Sequence, residues 1–260
     1  MNRSTFTALA GAMSVMLAAN PLLASAATPR QRIAMVMYAD MTSIDFIAPQ
    51  LVFALLGNVD VQLVSKDRTT VVTDTGVPMV PTQAFDDVAP GLAVVFVPGG
   101  TGAYAMMNDP KMVSFLQRVG PSAQYVTSVC TGALILGAAG LLRGYRATTY
   151  WMVRDVLTAL GATPVAQRVV VDRNRVTGAG VTAGLDFALT MASTLRSDEY
   201  ARVLQLAIEY DPQPPFDSGN ETKADAGTVR AVRSRFASSL AAANTEAAIA
   251  RKRLGIDPKR

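Results

Sequence analysis

Histidine is absent from the chain, and cysteine occurs once among 260 residues, as Cys130. Without an imidazole the chain has no Ser-His-Asp or Cys-His catalytic machinery and no histidine-containing zinc site. With one thiol it forms no internal disulfide and carries no Cys-x-x-Cys redox or metal motif. The groups left for chemistry are carboxylates, hydroxyls, Lys, Arg, backbone N–H groups and a single thiol.

Charged residues are also scarce, at 17%, whereas 50% of the residues are hydrophobic. This composition is typical of a globular domain with a large core. The net charge is +4, and the positive residues are scattered along the chain. The charge pattern therefore favours solubility and indicates no nucleic-acid partner.

The first residues carry the pattern of a secretory signal. Arg3 is the only charged residue before Arg30, and an apolar run covers residues 8–19. The small residues Ala24-Ser25-Ala26 then form a cleavage site, so residues 1–26 are predicted to be removed. The run is shorter than the roughly 20 residues of a membrane span. We expect a periplasmic or secreted protein with no membrane segment after processing, and a buried N-terminal helix is the alternative.

From residue 32 onward, short Val-rich runs alternate with segments of helical period, which is typical of βα units. Strands are predicted at 32–38, 59–65, 92–97, 124–129, 168–171 and 175–177. Helices are predicted at 44–56, 112–119, 131–139, 181–195 and 199–210, with an irregular or hairpin insertion at 69–85. We therefore expect one α/β domain over residues 27–219, with a mostly parallel sheet.

An Ala-rich tail follows at residues 220–260. Val229, Val232, Phe236 and Leu240 share one helical face, so a single tail helix is predicted to dock on the domain or on a second subunit. A DNA-binding role for the tail is the poorer alternative, because a helix-turn-helix needs two helices.

Cys130 is placed where a predicted strand turns abruptly into a helix of small residues. Such a nucleophile elbow lifts the side chain out of the sheet edge and directs backbone N–H groups toward it. Those amides and the helix dipole lower the pKa of a thiol, so we expect an activated Cys130 with the Thr131 hydroxyl beside it. A buried structural cysteine is the alternative.

Two further positions are candidates for the same site. Gly99 and Gly100 follow another strand, and loops of this kind meet at the carboxyl edge of an open α/β sheet. Their amides are predicted to face an oxyanion-like centre near Cys130. Asp45 lies between Ile44 and Phe46, which is unusual for a solvated acid. It is either a helix-capping residue or a protonated acid facing the thiol, with its pKa raised by apolar surroundings and a neighbouring negative charge.

These segments resemble the ThiJ/PfpI superfamily of glutamine-amidotransferase-like α/β proteins, and most closely its isonitrile hydratase branch. The resemblance covers about residues 33–219 and rests on Asp45 with Ala48-Pro49 and on segments 97–100, 128–133, 141–149, 180–186 and 209–216. Thr131 stands where peptidase-like members have histidine after the nucleophile, which disfavours peptidase chemistry. Tyr150 stands where many hydratase-like relatives have histidine.

The resemblance implies a flavodoxin-like, doubly wound fold and hydration of an isonitrile to an N-substituted formamide, without metal or organic cofactor. By this hypothesis Cys130 attacks the isonitrile carbon, and Asp45 supplies a proton and then acts as base on water. Thr131 and the amides of Gly99 and Gly100 hold the developing charge. Because relatives are commonly dimers, we expect a homodimer that acts on a small molecule.

Other functions remain open. A cofactor-free glyoxalase or deglycase acting on small aldehydes would use the same elbow and acid. A non-catalytic periplasmic sensor would use Cys130 for redox or ligand sensing. The ligand-binding half of an AraC-type regulator is disfavoured by the signal pattern and the short tail.

Overall fold

The computed structural model describes residues 30–257, so the predicted secretory signal and its cleavage site lie outside the described residues. Its strands are β1 (Gln31–Val36), β2 (Val59–Ser65), β3 (Val71–Val72), β4 (Pro78–Met79), β5 (Gln83–Ala84), β6 (Val94–Val97), β7 (Tyr125–Val129), β8 (Arg146–Ala147), β9 (Thr163–Pro164), β10 (Val169–Asp172) and β11 (Arg175–Gly178). Its α-helices are α1 (Ser43–Ala54), α2 (Ala103–Met106), α3 (Pro110–Val119), α4 (Gly132–Ala138), α5 (Val156–Ala159), α6 (Ala183–Leu195), α7 (Asp198–Ala207), α8 (Ala226–Arg235) and α9 (Ala237–Arg253).

Seven strands form the central sheet, in the order β10-β11-β7-β6-β1-β2-β5. Every pairing in it is parallel except that of β10 with β11, which is antiparallel. The fold is therefore the expected flavodoxin-like α/β architecture with a mostly parallel sheet. Since the carboxyl ends of β1, β6, β7 and β11 meet at one edge, the loops that follow them converge there.

Helices cover this sheet, as the near-continuous apolar strands require. Helix α1 packs against α6, and α6 packs against α7. Phe53 of α1 and Phe187 of α6 both contact Phe96 of β6, with ring centroids 6.2 and 5.5 Å from the Phe96 centroid. Helix α4 packs against β6, β7 and α3. All seven residues of α4 are buried, which explains its small and apolar sequence.

The predicted elements agree with the observed ones to within a few residues at their ends. The insertion after β2 is a short antiparallel hairpin of β3 and β4, followed by β5 at the sheet edge. The short elements α2, β8, β9 and α5 were not predicted, because two to four residues carry no readable period.

The tail differs from its prediction, since it forms two helices that meet at Phe236. Helix α9 packs on the α/β domain, against α2, α4 and α5, through the buried residues Ala243, Ala247 and Ala250. Leu240 of the predicted apolar stripe is partly buried against the core. Of the two predicted docking surfaces, the domain is the one this helix contacts.

Candidate active site

The turn between β7 and α4 holds Cys130 in a left-handed conformation, with φ at +54°. This conformation is strained for a residue with a side chain, at a cost of about 1–3 kcal/mol, so the surroundings must impose it. The Cys130 amide donates to the carbonyl oxygen of Ala179 at 2.8 Å, and the Thr149 hydroxyl donates to the Cys130 carbonyl at 2.6 Å. The predicted elbow is present, and its two main-chain polar groups are tied to neighbouring loops.

Asp45 lies in the first turn of α1, fully buried. Its Oδ2 accepts a hydrogen bond from the Gly99 amide at 2.9 Å, while its Oδ1 receives no N–H or O–H hydrogen bond from any residue in the range 30–257. The carboxyl also hydrogen-bonds with the Cys130 side chain. Of the two predicted roles, the acid facing the thiol is the one this geometry matches.

Burial raises the pKa of Asp45 from 3.8 to about 7. The charge of Asp74 adds to the increase, whereas the hydrogen bonds from Gly99 and Cys130 lower the pKa and offset it only in part. The predicted direction was right, but the neighbouring charge that raises this pKa belongs to Asp74. Asp45 is therefore a carboxylic acid that holds its proton close to neutral pH.

The pKa of the Cys130 thiol is also raised, which is opposite to the prediction. Burial is the main cause, and the Asp45 carboxylate adds to it. Amides of Thr131 and Val181 hydrogen-bond the sulfur and lower its pKa, but burial outweighs them. Because the two side chains share a hydrogen bond, the titration of one depends on the charge of the other. A thiolate forms when an ionised Asp45 takes up the thiol proton.

Gly99 and Gly100 hold the side chains of Asp45 and Thr131 in place through hydrogen bonds. The Gly100 amide donates to Thr131 Oγ1 at 2.9 Å, and Thr131 Oγ1 donates to the Gly100 carbonyl at 3.0 Å. Since the Gly99 amide is already bonded to Asp45, we assign both glycine amides a positioning role instead of the predicted binding of charge.

Only glycine fits at position 99. A Cβ there would lie 2.5 Å from the Thr131 nitrogen, 2.6 Å from Cys130 Cβ and 2.8 Å from Asp45 Oδ2. These separations are well below van der Waals contact, so a side chain would displace the thiol or the acid. The close approach of the loop after β6 is what brings Cys130 and Asp45 together.

Val181 is a site residue that sequence reasoning missed. Its amide, in the turn between β11 and α6, is the second donor to the Cys130 sulfur. The available signal was the glycine-rich run at 178–184, which ends a strand adjacent to β7. The adjacency of β11 and β7 is not readable from sequence, and neither is the approach of this turn to Cys130.

Cys130 and Thr131 open onto a cavity of about 280 Å³ whose surface is mostly apolar. The cavity is lined by Thr42, Asp74, Gly100, Thr101, Tyr104, Cys130, Thr131, Tyr150, Met152, Val153, Val181, Phe236, Ser239 and Leu240. Asp45 is not among these residues, because it is fully buried beside Cys130. A ligand that reaches the Cys130 sulfur therefore comes next to the Asp45 carboxyl.

Two tyrosines, Tyr104 and Tyr150, are among the residues that line this cavity. Burial and the Cys130 charge raise the pKa of Tyr104 to about 12, and a hydrogen bond with Ser239 opposes the increase. The same two causes, burial first, raise the pKa of Tyr150, which occupies the position where histidine was expected by resemblance. Both phenols stay protonated near neutral pH and serve as hydrogen-bond donors.

Other features of the structure offer fewer groups for catalysis or binding. A larger cleft of about 810 Å³ lies at the amino ends of the strands, and its lining, which includes Gln31, Arg32 and Gln124, has no thiol and no carboxylate. Among residues 30–257 no group of three or more Cys, Asp or Glu side chains could hold a metal ion. No helix in that range is long and apolar enough to cross a membrane.

Fold and elbow together define a flavodoxin-like α/β protein with one cysteine at a strand-to-helix turn and one buried acid beside it. The chain belongs to the DJ-1/PfpI family, whose profile matches residues 31–194. It is 46% identical over 209 residues to the isonitrile hydratase of Pseudomonas putida, a match that covers 80% of this chain and 91% of that protein.

Two other comparisons show the breadth of the family. A crystal structure of a ThiJ/PfpI family protein from Pseudomonas syringae superposes with a TM-score of 0.83 at 43% identity, over 88% of this chain and 96% of that one. A deglycase from Pyrococcus horikoshii is 31% identical over 116 residues, or 44% of this chain and 70% of that protein.

Proposed function

We propose that the protein is an isonitrile hydratase, which adds water to an isonitrile to give an N-substituted formamide. The observation that carries the proposal is the Cys130–Asp45 pair, a thiol that lines a mostly apolar cavity and hydrogen-bonds a buried acid of raised pKa. An isonitrile has an electrophilic terminal carbon and an apolar substituent, and both fit this site. The 46% identity to the hydratase of P. putida supports the same substrate class.

The reaction has two steps. The Cys130 thiolate attacks the terminal carbon, and the proton held by Asp45 passes to the same carbon, which forms a thioimidate. Water then adds to the thioimidate carbon, with the Asp45 carboxylate as base. Asp45 passes the proton that it took from water to the nitrogen, the tetrahedral intermediate expels the sulfur as a thiolate, its hydroxyl proton returns to Asp45, and the formamide leaves.

Donors around the sulfur stabilise the charges that develop in these steps. The amides of Thr131 and Val181 point at Cys130, so they stabilise both the attacking and the departing thiolate. The hydroxyls of Tyr104 and Tyr150 line the cavity and are placed to hydrogen-bond the nitrogen or the incoming water. None of these steps uses an imidazole, in keeping with the lack of histidine.

Formamide production by two variants tests the proposal. Cys130→Ala and Asp45→Asn each remove one member of the pair, so each is expected to lower turnover by about 10³-fold or more. Asp155→Asn is the matched control, since this carboxylate is exposed and does not line the cavity. Turnover retained by either pair variant would sink the assignment.

A deglycase or glyoxalase activity on small aldehydes is the second candidate, and the similarity to the P. horikoshii deglycase favours it. The hydroxyls of Tyr104 and Tyr150 would bind an aldehyde oxygen. Loss of methylglyoxal without glutathione, measured beside isonitrile hydration, separates the two. If only the aldehyde is consumed, the second candidate replaces the first.

Export and dimer formation are part of the same proposal. The apolar run at 8–19 and Ala24-Ser25-Ala26 support cleavage after residue 26 and a periplasmic or secreted location. N-terminal sequencing of the exported protein is expected to begin at Ala27. The mass of the mature protein in solution, measured by light scattering, tests the expected homodimer.

A further inference from the structure

Three residues of the tail form part of the wall of the cavity above Cys130. They are Phe236, Ser239 and Leu240, and they lie well beyond residue 194, where the match to the family profile ends. We propose that this tail wall, defined as Phe236, Ser239 and Leu240, sets the size and shape of the group that the enzyme accepts next to the reacting carbon. The inference deepens the proposed function and rests on it for the identity of the substrate.

The tail wall is held by a firmly packed helix. Its anchor is the alanine face of α9, whose small residues let the helix approach the domain closely. Arg253 donates to the carbonyl oxygens of Met107 at 3.1 Å and Ala138 at 3.0 Å. Asn108 donates to the Glu246 carbonyl at 2.9 Å. These bonds cross from the tail to the domain, so the wall is a fixed surface.

The residues that line the cavity differ in chemistry. Cys130 and Thr131 come from the elbow, whereas Phe236 and Leu240 bring apolar side chains from the tail. Ser239 hydrogen-bonds Tyr104, a phenol whose pKa is raised by the Cys130 charge. An isonitrile whose carbon reaches Cys130 has its substituent in the same cavity, of which Phe236 and Leu240 form part of the wall.

Cavity size limits that substituent. The volume of about 280 Å³ lies just below the roughly 300–1,000 Å³ typical of ligand pockets. Compact aliphatic groups fit such a space, and the bulkier the substituent, the more it depends on the room that the tail wall leaves. The substrate class is thus isonitriles with a compact, apolar substituent.

Substitutions that change the size of Leu240 test the role of the tail wall. The substrates are tert-butyl, cyclohexyl and adamantyl isonitrile, in order of increasing bulk. Leu240→Ala is expected to raise the ratio of kcat/KM for adamantyl over tert-butyl isonitrile by about tenfold or more. Leu240→Phe is expected to lower the same ratio, and Phe236→Ala to raise it. Ile249→Ala is the matched control, because this residue is on the same helix but 51% exposed and outside the cavity.

Alkylation of Cys130 gives a readout that does not depend on hydration. Because the chain has one cysteine, the rates for iodoacetamide and a bulky iodoacetanilide report on this site alone. Leu240→Ala should speed the bulky reagent selectively, and Leu240→Phe should slow it. If the wild type makes no formamide but these shifts occur, the proposed function fails and the tail wall stands.

If neither Leu240→Ala nor Leu240→Phe changes the kcat/KM ratio or the ratio of alkylation rates, the proposed role of the tail wall is wrong. Thermal unfolding of each variant is measured in parallel. Because one substitution enlarges the cavity and the other reduces it, opposite shifts distinguish a change of size from misfolding. A misfolded site would speed both reagents, whereas a resized wall changes only their ratio.

Discussion

The two sides of the cavity are built in different ways. The elbow side, Cys130 with Asp45, is 6% and 0% exposed and is positioned by main-chain amides and carbonyls of three loops and by the Thr149 hydroxyl. The tail side presents side chains, and its Phe236 is 36% exposed. A group held by the main chain cannot move without moving the sheet edge, while a side chain on a packed helix can be exchanged. The proposed chemistry therefore belongs to the rigid side and the proposed selectivity to the exchangeable one.

The largest predicted effect concerns the elbow side, where the titration of Asp45 makes the stability of the protein depend on pH. The pKa of Asp45 is raised from 3.8 to about 7, so the folded protein binds this proton more tightly than the unfolded chain. This proton contributes up to about 4 kcal/mol to the free energy of unfolding. The contribution is complete below about pH 4 and is lost as the pH rises to about 7.

Asp45→Asn removes this dependence. Urea unfolding of both proteins at about pH 4, 6 and 8 gives the difference in free energy of unfolding between them. The wild type should lose stability relative to the variant as the pH rises. A difference that stays constant across this range would mean that Asp45 is an ordinary ionised acid.

Gly99→Ala tests whether the main chain of the elbow side tolerates any change. Because the added Cβ meets the Thr131 nitrogen, Cys130 Cβ and Asp45 Oδ2, we expect the pair to separate and turnover to fall by about 10²-fold or more. Gly219→Ala is the control, since its Cβ would meet nothing within 4 Å. Steady-state kinetics of the two variants check the prediction, and equal activity would remove the positioning role of the loop.

Thr131→Val keeps the shape of the side chain and removes its hydroxyl. The Gly100 amide then loses its acceptor in a buried place, which costs about 1–3 kcal/mol of stability. The turnover of Thr131→Val should also fall, by about tenfold. Thr127→Val removes another buried hydroxyl, which donates to the Val95 carbonyl, and should lower stability without this loss of turnover. A parallel change in both variants would show that Thr131 only stabilises the fold.

Asp74→Asn has a smaller expected effect. Its charge raises the pKa of Asp45, while its Oδ2 accepts a hydrogen bond from Thr42 at 2.5 Å that the amide oxygen can also accept. The pKa of Asp45 should therefore fall, by less than about one unit because Asp74 is exposed and screened by salt. A carboxyl carbon NMR titration measures it, with Asp155→Asn as the control, and an unchanged pKa contradicts the coupling.

The residues that sequence reasoning found are those whose role follows from local pattern. Cys130, Gly99 and Gly100 each follow a readable strand, and Asp45 is an acid within an apolar helix start. The fold class followed from the alternation of strands and helices in the same way. These features need only the rule that loops after parallel strands share one edge.

The residues it missed depend on long-range packing. Val181 reaches the sulfur because β11 lies beside β7, and Asp74 reaches the cavity through the β3–β4 hairpin. The apolar stripe identified Phe236 and Leu240 but not their place over Cys130. The pKa of Cys130 was predicted in the wrong direction, because helix dipole and amides are local whereas burial is set by the whole fold.

Intact-mass spectrometry of the protein mixed rapidly with cyclohexyl isonitrile tests the covalent role of Cys130 most directly. The wild type should show a transient adduct that is heavier by the mass of one isonitrile and maps to Cys130, and it should decay as the formamide appears. Cys130→Ala should show neither adduct nor formamide. Formamide formed at an undiminished rate by Cys130→Ala, or by the wild type with no adduct at any mixing time, would contradict the thioimidate route.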